Sequence, residues 1–555
     1  MKKFLAIVLA LACVLSLCAC GGNGGTAGNG GTAGNGGEGN DNLTADGKVK
    51  LTIGMPSDAL VLSLDNNAMT NWLEEECGVE LSFVEYAGGT DIPTQISTAI
   101  AGRRELPDII YGVGLASSVI TRYGRDGYFL DLSDYYADKE GASKHFWDRR
   151  SELSEAEREH ILRVITDPET GAIYGAPIVE TSMIDSMRGN AWINKSWLDK
   201  LGLEMPTNNE ELVKVLKAFR DKDPNGNGVK DEIPMFGSQN SSPSARVVDW
   251  VINTFTYYNY ARKWAVDENG KIEPVFTQDE YREAVKFVKQ LNDEKLMSNI
   301  VWTCTNDNMK QIVTPSNGTS MVGVFCGHLT LHCAKGNEVM YEYVPLPRWG
   351  CAIRGDISCY LTTYITESCD NPDKAFEVLM ALASWEGSMR VRYGEYGANW
   401  VDPDPGAKSE LGLDATYKLL SDPMTMQNTS HWGAMGSCFN IYAEGETAQM
   451  DQNGDPWMLK RAQLQAASHA LFVQAEENNN PKKLVPIIVA TEEEKERTES
   501  IRTNIDSYAS GMLTDFCTGK ADPNDDKVWS NYLAKLDEMG LATYTDYVQT
   551  AYDRG

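Results

Sequence analysis

Residues 49–111 alternate between strand-like and helix-like segments, and this order most constrains how the chain can fold. The strand-like segments alternate apolar and polar residues or are short apolar runs, whereas the helix-like segments space apolar residues helically. In chain order the segments are 49–55, 66–76, 80–86, 93–101 and 106–111. Strand–helix–strand order of this kind predicts a parallel β-sheet with crossover helices, and therefore an α/β fold.

Loop residues at the ends of these strands are the first candidates for a ligand site, because open parallel sheets bind ligands beyond the carboxyl ends of their strands. Asp58 follows the first strand-like segment, and Tyr111 ends the last one. Arg188 is a further polar candidate from its position in a predicted loop. We predict that these three residues contact the ligand.

The N-terminus has the layout of a bacterial export signal. Two lysines precede an apolar run at 4–17, which is too short to span a membrane. The run ends in Leu-Cys-Ala-Cys at 17–20, which resembles the lipobox of bacterial lipoproteins. That resemblance implies that residues 1–19 are removed and that Cys20 receives a diacylglyceryl group. A signal peptide cleaved elsewhere, with incidental cysteines, is the alternative.

The next segment and the net charge suit a tethered extracytoplasmic protein. Residues 20–47 are rich in glycine, and we predict that they form the lipidated cysteine and a flexible linker. The chain has 50 Lys+Arg against 79 Asp+Glu, a formal net charge of −29. Nucleic acids and anionic lipid surfaces need clustered basic residues, so neither is expected as a partner. We expect a monomer anchored by lipid on the outer face of a bacterial cell membrane.

Motifs spread along the chain resemble those of the extracellular solute-binding proteins of ABC importers. They are Leu-Pro-Asp-Ile at 106–109, Tyr-Gly-Ala-Pro at 174–177, Ile-Asn-Lys-Ser-Trp-Leu at 193–198, Asp-Pro-Asn-Gly-Asn-Gly at 223–228, Arg-Tyr-Gly-Glu-Tyr-Gly at 392–397 and Tyr-Asp-Arg at 552–554. Their order resembles the large carbohydrate-binding branch of family 1, which includes lipoprotein and alginate-binding members. The resemblance runs from about residue 48 to the C-terminus.

The resemblance implies a type II periplasmic-binding-protein-like α/β fold, with two lobes, a ligand cleft between them and several hinge crossings. We expect lobe 1 at 48–177 plus 338–385 and lobe 2 at 178–337 plus 386–555. The run at 343–347 looks like a strand that returns to the first lobe. Two independent domains in series are the alternative.

The segment 223–232 spaces oxygen ligands as a calcium loop does. Calcium takes about six to eight oxygens, and the expected ligands are Asp223, Asn225, Asn227, the Val229 carbonyl, Asp231 and Glu232. Pro234 stands where an EF-hand has its last glutamate, so we expect a structural calcium ion without helix opening. The alginate-binding relatives carry a similar loop. An Asx-rich turn that binds no metal is the alternative.

A second cluster has the residue types of a zinc site. Cys326, His328, His332 and Cys333 lie close together, but an apolar run precedes them. We interpret the cluster as core packing, with zinc as the alternative. We also predict that most of the nine cysteines after Cys20 are buried thiols.

Aromatic residues are the expected sugar contacts, since 13 Trp and 24 Tyr are generous for this length and sugar rings stack on aromatic faces. The candidates are Trp302, Trp385, Tyr393, Glu395, Trp400 and Trp432. For Tyr393, Glu395 and Trp400, the resemblance to alginate-binding relatives implies ligand contacts, although the chain departs from their pattern around Glu395. The alternative for each tryptophan is core packing.

These features together predict a binding protein that captures a carbohydrate, with an oligosaccharide favoured, and delivers it to an ABC permease by hinge closure. No catalysis is expected, because the chain lacks a nucleophile elbow, a Walker loop and a zinc-protease motif. One alternative is a binding protein for peptide or another polar solute. The other is a surface glycoside hydrolase, which needs a pair of carboxylates.

Overall fold

The computed structural model of the chain describes residues 42–554, except for short internal ranges. Those ranges are 88–90, 149–152, 181–186, 188–189, 354–356, 410, 422, 424–425, 434–445, 452–454, 480–482, 486–487 and 489. The predicted signal peptide, Cys20 and most of the linker lie outside the described residues, as does Arg188. Among the helices of the described ranges, none combines the length and apolarity that a membrane span needs.

Strands and helices alternate along much of the chain. The strands are β1 (Val49–Pro56), β2 (Val79–Tyr86), β3 (Ile109–Ile110), β4 (Ala176–Glu180), β5 (Ala191–Asn194), β6 (Ile233–Phe236), β7 (Trp264–Val266), β8 (Ile272–Pro274), β9 (Val322–Cys326), β10 (Tyr343–Pro345), β11 (Ser358–Ile365), β12 (Trp400–Val401), β13 (Lys418–Leu419) and β14 (Lys483–Leu484). The helices are α1 (Ala68–Cys77), α2 (Ile92–Ala101), α3 (Ser117–Arg125), α4 (Ser133–Ala137), α5 (Lys144–Asp148), α6 (Glu155–Ile165), α7 (Lys195–Leu201), α8 (Asn209–Asp221), α9 (Val247–Ile252), α10 (Asp279–Asp293), α11 (Asn306–Val313), α12 (Leu329–His332), α13 (Pro372–Ala383), α14 (Trp385–Tyr393), α15 (Pro456–Asn479), α16 (Glu492–Thr518), α17 (Asp526–Glu538) and α18 (Leu541–Asp553).

The first sheet has the strand order β2-β1-β3-β11-β4. β1 pairs in parallel with both β2 and β3, which confirms the predicted parallel arrangement of the N-terminal strands. β11 runs antiparallel to β3 and β4. Leu51, Ile53 and Ile109 are buried at the centre of the sheet's core, as the alternation of β1 and the apolar run of β3 predict.

The second sheet has the order β10-β5-β9-β6, in which β6 and β9 are parallel and β5 is antiparallel to both of its neighbours. Helix α8 buries Leu212, Leu216 and Phe219, which lie on one face of the helix. The Phe219 ring meets Trp197 edge-on, with 5.2 Å between ring centroids. The residues on the two sheets form two separate hydrophobic cores.

One strand pairs with a different sheet from the one we expected. The run at 343–347 was predicted to return to the first lobe, but β10 pairs with β5 in the second sheet. Tyr343 is fully buried there, and its hydroxyl donates to the Val322 carbonyl at 2.6 Å. A short apolar strand has no residue that selects one sheet over another, so sequence alone could not decide its partner. The chain therefore returns to the first sheet between β10 and β11.

The segment after α13 also differs from the expected division. We expected residues 386–555 to belong to one lobe, but α14 contacts α1 and α13, and Trp432 is buried in the core of the first sheet. Helices α16 to α18 and the small sheet β14-β7-β8 pack on the core of the second sheet. We call residues 49–180 and 358–433 the first half and residues 191–345 and 456–553 the second half.

Candidate functional site

At the carboxyl ends of the parallel strands of the first sheet, Asp58 lies beside Trp432. The Asp58 carboxylate accepts a hydrogen bond from the Leu60 backbone N–H at 2.8 Å, which holds the turn after β1. It also packs so closely on Gly433 that a Cβ there would lie 2.3 Å from a carboxylate oxygen, and Gly433 has a φ of +99°. Only glycine suits that position, so the segment around 433 is held against the turn after β1.

Tyr111 and Trp432 are buried beneath this turn. The two rings meet edge-on with 5.7 Å between centroids, and the Trp432 Nε1–H donates to the Thr70 hydroxyl at 2.8 Å. Both side chains are nearly inaccessible to solvent. Their assignment as ligand contacts stays a prediction, since it requires a conformation that exposes a ring face, whereas Asp58 is already partly exposed.

Two loops and a 3-10 helix meet at the equivalent edge of the second sheet. The loop after β6 is bound to the segment around Trp302 by three hydrogen bonds. Gln239 N–H donates to the Val301 carbonyl at 2.8 Å, and the Ser238 hydroxyl donates to the Cys304 carbonyl at 2.7 Å. The side-chain amide of Asn240 donates to the Trp302 carbonyl. Trp302 is therefore held at the sheet edge by its backbone.

The Trp302 side chain combines a partly exposed ring with an unused donor. The ring packs on the core of the second sheet, but the residue is only half-buried. Its indole Nε1–H is buried and has no hydrogen-bond partner among the described residues. A buried N–H without an acceptor costs free energy, so this donor is suited to an acceptor that arrives with a ligand. Trp302 stays a predicted ligand contact, and unlike Tyr111 and Trp432 it is partly exposed.

His332 lies beneath this edge and is fully buried. Its Nε2 is 2.8 Å from the Ser241 hydroxyl and 3.3 Å from Oδ1 of Asn306, while its Nδ1 accepts the His328 backbone N–H at 2.8 Å. Both ring nitrogens are thus engaged within the protein. Cys333 is also buried, and burial raises the pKa of its thiol to about 12. These hydrogen bonds favour the packing interpretation of this cluster over zinc.

The segment after α14 forms a small core of its own. Tyr393 and Trp400 pack with Met389 and Tyr417, and the Trp400 Nε1–H donates to the Gly394 carbonyl at 2.9 Å. Glu395 is exposed beside this cluster. The rings of Tyr393 and Trp400 are buried, so their contact with a ligand, like that of Glu395, stays a prediction.

Trp385 lies at a different place from the other aromatic candidates. Together with Trp72 it lines a cavity of about 960 Å³ between helices α1, α5, α13 and α14 of the first half. Asp58, Trp302 and Trp432 do not line this cavity. The structure therefore separates Trp385 from the residues at the sheet edges.

A second cavity, of about 500 Å³, is lined by both halves of the molecule. Tyr174 and Tyr360 contribute from the first half, and Arg262, Lys495 and Tyr547 from the second. The described candidates for ligand contact are not among its lining residues, and sequence reasoning missed it. Its walls come from segments far apart in the chain, so no local motif could have indicated them.

The segment 223–232 has the turn geometry of the predicted calcium loop. The Asp223 carboxylate accepts backbone N–H groups of Gly226 at 2.9 Å and Gly228 at 3.0 Å. The side-chain amide of Asn227 donates to both oxygens of Asp231 at 3.1 Å. The predicted ligands are thus gathered around one turn.

Glu232 is the least satisfied residue of this loop. Both of its carboxylate oxygens are buried and have no hydrogen-bond partner among the described residues. Burial raises its pKa, and the carboxylates of Asp223 and Asp231 raise it further. The described residues contain no set of three or more His, Cys, Asp or Glu side chains arranged to hold a metal ion. A calcium ion at this loop therefore stays a prediction, which the buried Glu232 oxygens support.

The described cysteines are all buried and free. They are Cys77, Cys304, Cys326, Cys333, Cys351, Cys359, Cys369 and Cys517. This confirms the prediction of buried thiols for these eight, while Cys438 lies outside the described residues.

The chain is similar in sequence to known proteins. Residues 57–325 match the model of the family described as bacterial extracellular solute-binding protein. A curated relative, the fructooligosaccharide ABC transporter substrate-binding protein FusA of Streptococcus pneumoniae, is 29% identical over 500 residues, covering 87% of this chain and 86% of the relative. The matched part of the chain, residues 57–325, belongs to the bacterial extracellular solute-binding protein family. This solute-binding protein is therefore extracytoplasmic, and it is not an enzyme.

Solved structures confirm the two-lobe α/β fold. An HMO-binding, ABC-transporter-associated solute-binding protein of Bifidobacterium longum infantis superposes with a TM-score of 0.70 at 21% identity, over 92% of this chain and 99% of that one. An EF-hand mutant of S. pneumoniae FusA in complex with fructo-nystose superposes with a TM-score of 0.63 at 21% identity, over 91% and 99%. At this identity both comparisons bear on the fold alone.

Proposed function

We propose that this solute-binding protein captures an oligosaccharide outside the cell and delivers it to an ABC importer. The similarity to FusA carries the proposal, because it extends over 87% of the chain and so includes both halves. Ligand contacts in such a protein come from both lobes, so similarity confined to one half would say little about the ligand. The class of ligand proposed is a neutral oligosaccharide of the fructooligosaccharide type.

The proposed ligand contacts are the half-exposed residues at the edges of the two sheets. Trp302 offers a ring face and an unpaired indole N–H, and Asp58 offers a carboxylate that can accept hydrogen bonds from sugar hydroxyls. Stacking on an aromatic ring and bonding to a carboxylate are complementary, because a sugar has apolar faces and a polar rim. Arg188, Tyr393, Glu395, Trp400, Trp432 and Tyr111 are further candidates from the sequence.

Hinge closure is the proposed mechanism. The two halves have separate cores and are joined by connecting segments, and a cavity between them leaves room for relative movement. A ligand that contacts both edges binds the closed arrangement more tightly and shifts the population toward it. In this proposal lobe 1 comprises residues 49–180 and 358–433, and lobe 2 comprises residues 191–345 and 456–553.

A structural calcium ion is proposed at the loop 223–232. Asp223, Asn225, Asn227, Asp231 and Glu232 would provide side-chain oxygens and Val229 its carbonyl. The unpaired oxygens of Glu232 support this assignment. When bound, the ion would neutralise the carboxylates and fix the turn that links α8 to β6.

The remaining partners follow from the sequence. We propose that Cys20 carries the lipid anchor, that residues 1–19 are the signal peptide, and that the acidic body is held at the outer face of the membrane by the linker 20–47. The protein would act as a monomer and dock on the permease of its importer. This arrangement keeps the ligand site beside the transporter.

Binding should be tested with a panel of glycans and peptides. The mature protein is titrated with kestose, longer fructooligosaccharides, other neutral oligosaccharides, acidic oligosaccharides and short peptides by calorimetry. We expect saturable binding of at least one neutral oligosaccharide, with the glycan recovered unchanged after incubation. Binding of peptides alone would overturn the proposal, and release of shorter sugars would favour a hydrolase.

A further inference from the structure

The imidazole of His332 connects three segments that form the ligand-facing edge of the second sheet. Through Nε2 it reaches Ser241 in the loop after β6 and Asn306 at the start of α11. Through Nδ1 it accepts the backbone N–H of His328 in the loop after β9. These segments are far apart in sequence, and the buried ring connects them beyond the ends of the strands.

The same network leads directly to Trp302. The Ser241 hydroxyl also contacts Asn306, and Ser241 follows Asn240, whose amide binds the Trp302 carbonyl. Any movement of the loop after β6 therefore displaces its three hydrogen bonds to the segment around Trp302. A ring position set through backbone bonds is sensitive to such loosening, because a gap of about 1 Å forfeits up to about half of a van der Waals contact.

We propose that His332, in its neutral form, is a positioning residue that holds Trp302 in its ligand-binding place through Ser241 and Asn306. This inference rests on the proposed function for its ligand, but the mechanical coupling is a property of the ligand-free protein. Neither His332 nor Ser241 touches the ligand in this proposal. The two residues act on affinity through Trp302.

The hydrogen bonds of His332 depend on pH, because the charge state of the ring decides whether Nδ1 can accept. Burial, with smaller contributions from the positive charges of His328 and Lys310, lowers the pKa of His332 to about 4. The neutral ring accepts at Nδ1, whereas the imidazolium carries a proton there and cannot accept the His328 N–H. Since the unfolded pKa is 6.5, the contribution of neutral His332 to stability is complete above that pH and is lost as the pH falls toward about 4.

The test compares Ser241→Ala and His332→Gln with a control, Thr314→Val. Ser241 is only half-buried, so its variant is expected to fold even if a His332 variant does not. Thr314 is a buried hydroxyl that accepts the Ala334 N–H at 2.8 Å, just after the same segment. Thr314 has no hydrogen bond to the loop after β6 or to Trp302. Thr314→Val therefore removes a hydroxyl, as Ser241→Ala does, but leaves the proposed link from His332 to Trp302 in place.

Two readouts are measured. Amide hydrogen exchange over residues 238–242 and 300–306 is followed without ligand, and affinity is measured with the tightest-binding glycan of the panel. Ser241→Ala and His332→Gln should speed exchange in both segments and weaken binding about threefold to tenfold, the range for one lost hydrogen bond. Thr314→Val should change neither. Wild-type affinity should fall below about pH 5, and that fall should be smaller in His332→Gln.

Unchanged exchange in both variants would overturn the inference, as would faster exchange with unchanged affinity or an equal effect of Thr314→Val. If the wild type binds no glycan, the proposed function fails, and the exchange measurement still decides whether His332 holds this edge. The two failures are thus distinguishable.

Discussion

Trp302→Ala is expected to weaken oligosaccharide binding by at least about 30-fold, which corresponds to about 2 kcal/mol, because truncation of a central aromatic contact typically costs that much. The variant loses both the ring face and the indole N–H that is buried without a partner among the described residues. Trp302→Phe keeps the face and loses only the donor, so its affinity should lie between those of the wild type and Trp302→Ala. Calorimetric titration of the three proteins measures the effect.

The control for this prediction is Trp385→Ala. Trp385 is also half-buried, but it lines the separate cavity between the helices of the first half. The affinity of the Trp385→Ala protein for the glycan should stay within about twofold of that of the wild type, since substitutions remote from a site rarely change binding there. Wild-type affinity in a folded Trp302→Ala protein, or a large loss in Trp385→Ala, would contradict the assignment of Trp302 to the ligand site.

Removal of calcium should produce the largest change in stability. At a calcium concentration about 100 times the Kd, binding to the folded state adds about 2.7 kcal/mol, which for a lobe of this size is about 5 to 10 °C in melting temperature. Differential scanning calorimetry with calcium and with excess chelator measures the shift. Because the pKa of Glu232 is raised by burial, protonation competes with the ion, and the shift should shrink as the pH falls.

The effect of Glu232→Gln on the melting temperature should depend on whether calcium is bound. In calcium the variant should melt below the wild type, because a ligand is lost. In chelator it should melt at the same temperature as the wild type or higher, because a buried, unpaired carboxylate is removed. Asp221 is an exposed carboxylate that pairs with Arg220 just before the loop. The control variant Asp221→Asn should therefore keep the full response to calcium. A melting temperature that is the same with calcium and chelator in the wild type would eliminate the calcium site.

Sequence reasoning predicted local elements well, and the reason is visible in particular residues. Leu51, Ile53 and Ile109 are buried where the alternation and the apolar run predict, and the stripe of α8 faces the core. The turn of the 223–232 loop was also predictable, since its Asp, Asn and Gly residues form hydrogen bonds with near neighbours. Such features depend on a few consecutive residues, and the sequence states them directly.

Long-range contacts were the part that the sequence could not decide. Tyr393, Trp400 and Trp432 have the composition of sugar contacts, but the structure buries all three. The choice between a core ring and a ligand ring depends on the neighbours brought in by other segments, as Thr70 and Phe83 are brought to Trp432. Trp302 differs because its neighbours leave the ring half-exposed and its N–H unpaired.

By itself the sequence determined the α/β class and the resemblance to extracellular solute-binding proteins, and it predicts an export signal with a candidate lipid site and a calcium-type loop. Periodicity, spacing and motif order are local properties, so they can be read without coordinates. Only the tertiary structure decided that β10 joins the second sheet, that α14 and Trp432 pack with the first, and that His332 connects the loop after β6, the start of α11 and the loop after β9. Those outcomes depend on which surfaces fit together across hundreds of residues, and packing energy of that kind has no local signature in the chain.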